Sequence, residues 1–131
     1  MKADRSLYAE EFVDKAKEDI GVARALLKEA RFFESSCFHS QQAVEKYLKA
    51  FLIKRDIRFK KIHDLEGLVE MCSGVDKEFV KILPLARFLN PYYVGARYPD
   101  AFGVGEMAKE DDAKKALKSA EEIASFVERK L

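Results

Sequence analysis

Three tyrosines and one arginine lie close together in an irregular segment, FLNPYYVGARYPD at residues 88–100. Aromatic rings offer faces on which nucleobases stack, and a guanidinium offers a planar set of donors for phosphate. Arg97 and Tyr98 are therefore candidate binding residues for a nucleotide or RNA. In the alternative interpretation the two prolines fix turns at a helix end, and the tyrosines cover the edge of the core with their hydroxyls in water. Tyr92 and Tyr93 fit that packing role better.

A second candidate is the basic segment KRDIRFKKIH at residues 54–63, which holds five Lys or Arg residues and one His against a single Asp. So many cations in ten residues raise the local positive potential and attract phosphate groups. The candidate binding residues here are Arg58, Lys60, Lys61 and His63. The alternative is a solvated loop whose charges are balanced by acidic neighbours in the folded protein.

The chain has two histidines, the side chain that most readily supplies an acid or a base near neutral pH. His63 or Asp64 is expected to cap the third helix, and the alternative for His63 is a catalytic or binding role. His39 lies beside Gln42 and Lys46 in a predicted helix, off its apolar stripe, which favours a surface or interface position. His39 stays among the candidate binding residues.

Composition limits the class of protein. The chain has 131 residues, 48% of them hydrophobic and 36% charged, which predicts one globular domain over residues 1–131. The net charge of +1 gives no global argument for nucleic-acid binding. No apolar run is long enough to span a membrane and no secretory signal is visible, so we expect a cytoplasmic protein. Cys37 and Cys72 fit buried thiols, and no spacing predicts a metal or a cofactor.

Apolar side chains recur at three- and four-residue spacing along most of the chain, and no segment alternates like a strand. We predict an all-α fold, an antiparallel up-and-down bundle of four to five helices. Ser35 or Ser36 is expected to cap the second helix, and Pro84 to break the chain near Leu83. The predicted helices cover residues 7–30, 36–55, a short segment from 65, 76–90 and 106–130.

Three blocks of the sequence resemble, in order and spacing, the signature blocks of the HEPN domain, the higher eukaryotes and prokaryotes nucleotide-binding domain. They are FHSQQAVEKYLKAFLI at 38–53, KIHDLEGLVE at 61–70 and YYVGARYPD at 92–100. The resemblance covers roughly residues 8–128. It implies a helical bundle, usually dimeric, with a polar cleft near the twofold axis. Many members are made beside a minimal nucleotidyltransferase, and several such pairs act as toxin and antitoxin.

Catalytic members of that family are metal-independent ribonucleases with an Arg, four to six residues and then a His at the start of the last main helix. Arg97 matches the arginine, but positions 102–104 hold Phe, Gly and Val, so the motif is absent there. Arg58 and His63 have the spacing in a different place, before the third helix. We therefore expect nucleotide or RNA binding. The alternatives are a ribonuclease that uses His63 with Arg58, or with Arg97 across a dimer, and a purely structural assembly module.

Glu45 and Lys46 resemble the acidic and basic pair of the family's second helix. Neighbouring residues on a helix point about 100° apart, so these two should not pair with each other. Glu45 is expected to reach an arginine of another helix, such as Arg97.

Overall fold

The computed structural model describes residues 2–59, 63–95 and 108–131, and all regular structure in these ranges is helical. This confirms the predicted all-α bundle. The elements are α1 (Lys2–Lys28), α2 (Phe33–Lys54), α3 (Leu65–Ser73), η1 (Lys77–Ile82), α4 (Leu83–Leu89), α5 (Tyr92–Gly95) and α6 (Glu110–Lys130). Of these, η1 is a 3₁₀-helix and α5 is a single turn.

Long helices α1 and α2 form an antiparallel hairpin, and α6 packs against both. Tyr47 of α2 bonds Glu128, and Lys54 bonds the carbonyl of Leu131, so α6 runs in the same direction as α2. Three of the elements that lie between α2 and α6 in the sequence, α3, η1 and α4, cover the flank of α2 that α1 and α6 leave open. Helix α2 is therefore surrounded by the other elements, and even several of its polar residues are buried.

The start of α2 differs from the prediction. The helix begins at Phe33 after Phe32, which adopts a left-handed conformation and makes no side-chain cap. The Ser36 hydroxyl instead donates a hydrogen bond to the carbonyl of Ala23 on α1, at 2.9 Å. The prediction of a serine cap was wrong because this hydroxyl serves the contact between α1 and α2.

Other predicted boundaries fit more closely. Of the two proposed caps for α3, Asp64 is the one observed, since its side chain accepts a hydrogen bond from the backbone N–H of Glu66 at 3.1 Å. The chain changes from η1 to α4 at Leu83, which confirms the break caused by Pro84. Helix α6 starts at Glu110, and the predicted start at 106 lies outside the described residues.

The core includes both thiols, as predicted. Cys37 and Cys72 are fully buried, and burial raises the pKa of each to about 12. In the described part of the chain, none of the helices combines the length and the apolar character that crossing a bilayer requires.

Candidate functional site

A buried carboxylate lies at the centre of the candidate site. Glu45 of α2 has a side chain only 5% exposed, and its Oε1 lies 2.9 Å from Nδ1 of His63. Its Oε2 accepts a hydrogen bond from Lys49 at 3.0 Å, one helical turn further along α2. Because an ionised carboxylate only accepts hydrogen bonds, Nδ1 of His63 carries a proton. Nε2 is then the proton acceptor of the neutral ring.

The ring of His63 is stacked on Tyr93 of α5. Their centroids are 3.9 Å apart and the ring planes are inclined by 13°. Tyr93 also faces Phe38 of α2, at 6.5 Å and 29°. The imidazole of His63 remains 44% exposed, so the stack forms a boundary between the core and solvent.

Hydrogen bonds to the backbone hold the chain around His63 in place. Gln41 of α2 donates to the carbonyl of His63 at 3.4 Å. Asn90, at the end of α4, accepts from the backbone N–H of Leu65 at 2.8 Å and donates to the Asp64 carboxylate at 3.0 Å. The stretch that enters α3 is thus fixed relative to both α2 and α4.

A second carboxylate has the same kind of partners. Asp19 of α1 lies 2.8 Å from Nδ1 of His39 through Oδ1 and accepts from Lys46 through Oδ2 at 2.5 Å. Burial by itself raises the pKa of the Asp19 carboxyl, but the hydrogen bonds from His39 and Lys46 outweigh it and leave that pKa below its ordinary value. Asp19 is therefore ionised at neutral pH.

The structure describes only some of the predicted binding residues. Arg58 is exposed, whereas Lys60, Lys61, Arg97 and Tyr98 lie outside the described residues. The expected contact between Glu45 and Arg97 falls there too. Glu45 and Lys46 do not pair with each other, as expected, because each has partners elsewhere.

Two cations of the basic segment have structural partners. Lys54 donates to the carbonyl of Leu131 at 2.7 Å, and Arg55 donates to the carbonyl of Lys130 at 3.3 Å. Cations are favoured at a helix C-terminus, where carbonyl groups lack partners within the helix. These two side chains therefore hold the end of α6.

The tyrosines of α5 have different roles. Tyr92 is half-buried against the core, packs edge-on against Phe88, and has its pKa raised to about 12, mainly by burial. Tyr93 instead contributes to the stack with His63, which the sequence did not predict.

Asp19 and Lys49 were also missed as members of the site. A signal was available for each in the sequence. Asp19 interrupts the apolar stripe of α1 between Ala16 and Ala23, and a carboxylate on a buried stripe needs a partner. Lys49 follows Glu45 at the four-residue spacing at which opposite charges pair on a helix.

Within the described residues, no group of three or more His, Cys, Asp or Glu side chains could hold a metal ion.

Comparison with known proteins gives a consistent family. The model of the HEPN domain matches residues 9–130. A protein of Methanocaldococcus jannaschii named "Putative toxin MJ1304" is 31% identical over 133 residues, which cover 92% of this chain and 86% of that protein.

Solved structures are similar over almost the whole chain. TT1696 from Thermus thermophilus has a TM-score of 0.80 at 29% identity, covering 94% of this chain and 98% of that one. ST0689, described as an archaeal HEPN homologue, has a TM-score of 0.76 at 30% identity, covering 93% and 96%. A HEPN domain protein of Thermotoga maritima, 22% identical with a TM-score of 0.73, shares the fold and covers 91% and 95%.

Proposed function

The chain belongs to the HEPN domain family, and on that premise we propose that it binds a nucleotide or RNA on the flank of α2 where His63 and Tyr93 meet. Nucleobases stack against the pair of His63 and Tyr93, in which the imidazole is 44% exposed, and cations from the two neighbouring segments contact the phosphates. The contributing residues are Arg58, Lys60, Lys61, His63, Tyr93, Arg97 and Tyr98, with His39 further along α2.

One observation carries this proposal, the stack of His63 on Tyr93. His63 ends the basic segment and Tyr93 belongs to the tyrosine segment, so the two stretches with ligand-binding chemistry meet in space although thirty residues separate them. In the sequence, Arg97 follows Tyr93 by four residues and Lys61 precedes His63 by two.

The biological setting that we propose is a complex with a minimal nucleotidyltransferase in the cytoplasm, as in toxin and antitoxin pairs, with this chain as a homodimer. The relative named as a toxin supports the setting. The proposed complex is tested by co-expressing this chain with a minimal nucleotidyltransferase encoded beside it. Co-purification in a defined ratio is expected, and two proteins that elute separately would contradict the complex.

Ligand binding is tested by titrating the protein with ATP and with a labelled single-stranded RNA. Tyr93→Ala and His63→Ala should each weaken binding by about tenfold or more, since stacking contributes about 1–3 kcal/mol per base. The control is Tyr8→Ala, which removes an exposed tyrosine of α1 whose ring packs on Phe12 and not on His63 or Tyr93. Wild-type protein that binds neither ligand at millimolar concentration would contradict the proposal and favour an assembly module.

Metal-independent RNA cleavage is a second candidate function, and the contact between Glu45 and His63 favours it. With Nδ1 held by a carboxylate, Nε2 of His63 is placed to take the proton of a ribose 2′-hydroxyl. The 2′-oxygen then bonds to phosphorus while the bond to the 5′-oxygen breaks, and that oxygen takes up a proton from water.

Labelled RNA incubated with the protein in the presence of a chelator tests this candidate. Cleavage that disappears in His63→Ala and persists in Tyr8→Ala would support the enzyme. If wild type does not cleave, or if His63→Ala cleaves as fast, the protein is not a nuclease of this kind.

A further inference from the structure

Two clusters on α2 share one arrangement. In each, a buried carboxylate bonds Nδ1 of a histidine through one oxygen and the ammonium of a lysine through the other. The first cluster consists of Glu45, His63 and Lys49. The second, which we call the Asp19 cluster, consists of Asp19, His39 and Lys46. The proposed function includes His39 among the contributing residues but gives Asp19 and Lys46 no role.

The Asp19 cluster keeps polar groups that its internal bonds do not use. Among the described residues, Nε2 of His39 makes no hydrogen bond, and its ring is 30% exposed. Lys46 is 28% exposed, and its ammonium has three protons, one of which goes to Asp19. Nδ1 of His39 and Nζ of Lys46 lie within hydrogen-bond distance of one carboxylate, so the two side chains are neighbours, and Nε2 is the ring nitrogen of His39 that does not bond Asp19.

Charge makes this pair suitable for an anion. Lys46 neutralises the ionised Asp19, so protonation of His39 leaves the cluster with one net positive charge. A protonated imidazole and an ammonium are both strong donors to phosphate oxygens, because charge-assisted hydrogen bonds are about twice as strong as neutral ones. Asp19 fixes the orientation of both donors, which lowers the entropy lost when an anion binds.

We propose that the Asp19 cluster is a second phosphate-binding subsite, in which Nε2 of His39 and Nζ of Lys46 bind the oxygens of a phosphate ester. The identity of the ester as part of a nucleic acid rests on the function proposed above, whereas the binding of the anion does not.

A row of rings connects this subsite to the first cluster. His39 meets the edge of Phe38, with centroids 5.3 Å apart, and Phe38 faces Tyr93, which stacks on His63. The two clusters therefore lie on neighbouring parts of α2, joined by ring contacts.

The experiment uses the full chain and the fact that it contains only two histidines. The Hε1 signals of His39 and His63 are followed by NMR in mildly acidic buffer and assigned with a His63→Gln variant. Three titrations at equal ionic strength use sodium chloride, inorganic phosphate and a short single-stranded RNA. A saturable shift of the His39 signal is expected with phosphate and, at lower concentration, with RNA, but not with chloride.

The variant for this test is the double substitution Asp19→Asn/Lys46→Met. Removing both partners of a buried ion pair is tolerated better than removing one. Phosphate binding at His39 should weaken by about tenfold, the loss expected for one charge-assisted hydrogen bond. Lys114→Met on α6 is the matched control, because it removes one exposed cation elsewhere and should leave the shift unchanged.

The outcomes separate this inference from the proposed function. A His39 signal that phosphate and RNA leave unmoved overturns the subsite even if RNA shifts His63. A saturable His39 shift with phosphate supports the subsite even if no RNA binds at His63. A shift that chloride reproduces, or that the double variant retains in full, overturns the subsite. The wild-type titrations decide the matter if the double variant does not fold.

Discussion

Tyr93 lies flat against His63, with ring centroids 3.9 Å apart, although the two residues belong to segments separated by α3, η1 and α4. The same imidazole is also bonded by Glu45, through its Nδ1 atom. One side of His63 is thus fixed by a hydrogen bond and one face by a ring. An imidazole held in this way has a defined tautomer and a defined orientation, the two properties that binding or proton transfer requires.

Replacing Tyr93 tests the stack itself. Tyr93→Ala removes the ring and should lower the free energy of unfolding by about 1–2 kcal/mol, since aromatic pairs contribute about 0.5–1.5 kcal/mol beyond the area they bury. The His63 Hε1 signal should also move, because it loses the ring current of its neighbour. Tyr93→Phe keeps the ring and should leave both measurements close to wild type. An unmoved His63 signal in Tyr93→Ala would mean that the rings do not stack in solution.

Substituting Glu45 by Gln tests the buried carboxylate. The variant leaves the ammonium of Lys49, whose side chain is 11% exposed, without its counter-ion. Removing one partner of a buried pair costs about 3–5 kcal/mol, so the midpoint of denaturant unfolding should fall clearly. In this variant Nδ1 of His63 faces a neutral amide instead of a charged carboxylate, so the Hε1 NMR signal of His63 should shift.

Two further variants control this experiment. Glu66→Gln breaks an exposed pair with Arg87 and should change stability by less than about 1 kcal/mol. Glu45→Gln/Lys49→Met removes the buried pair together and should recover much of the lost stability. If Glu45→Gln costs no more than Glu66→Gln, Glu45 is not the buried charge that the structure describes.

The helices were predictable because their apolar periodicity is a local property of the sequence, and Pro84 and Asp64 act within one or two turns. The start of α2 was not predictable, since the Ser36 hydroxyl donates its hydrogen bond to the carbonyl of Ala23, thirteen residues away. Whether a serine caps its own helix or bonds a neighbour depends on packing between helices. The pattern of residues alone does not contain that information.

The candidate site was predictable in composition but not in its pairings. His63 and His39 were selected because imidazole is rare and versatile, but the sequence could not assign Glu45 to one and Asp19 to the other. Those pairs are 18 and 20 residues apart and form only when the loop after α2 returns and α1 packs against α2. Long-range contacts of this kind follow from the fold.

The two thiols give a prediction at alkaline pH. Burial raises the pKa of Cys37 and Cys72 to about 12, against 9.0 for an ordinary thiol. Above pH 9 the unfolded thiols lose protons that the folded thiols keep, so the free energy of unfolding should fall as the pH rises through this window. Cys37→Ala/Cys72→Ala should show a shallower fall up to about pH 11. Native wild-type protein should also react slowly with a thiol reagent at pH 8, and rapidly once unfolded.

The contribution of Asp19 to stability depends on pH in the opposite sense to that of the thiols, and Asp19→Asn tests it. The hydrogen bonds from His39 and Lys46 hold the pKa of Asp19 below its ordinary value of 3.8, so the ionised form stabilises the folded state above that pH. This stabilisation disappears as the pH falls through the folded pKa. At pH 7 we expect Asp19→Asn to lower the free energy of unfolding by about 1.5–3 kcal/mol, the range for hydrogen bonds to charged groups.

The difference between wild type and Asp19→Asn should shrink in acid, because wild-type Asp19 is then protonated and neutral as well. Glu18→Gln is the control, since Glu18 is the exposed neighbour of Asp19 and pairs only with Lys15 among the described residues. Its effect should stay below about 1 kcal/mol at any pH. Urea unfolding of the three proteins at pH 7 and near pH 3 measures these differences. A loss in Asp19→Asn that is equal at both values would mean that packing of the side chain, rather than its charge, holds α1 against α2.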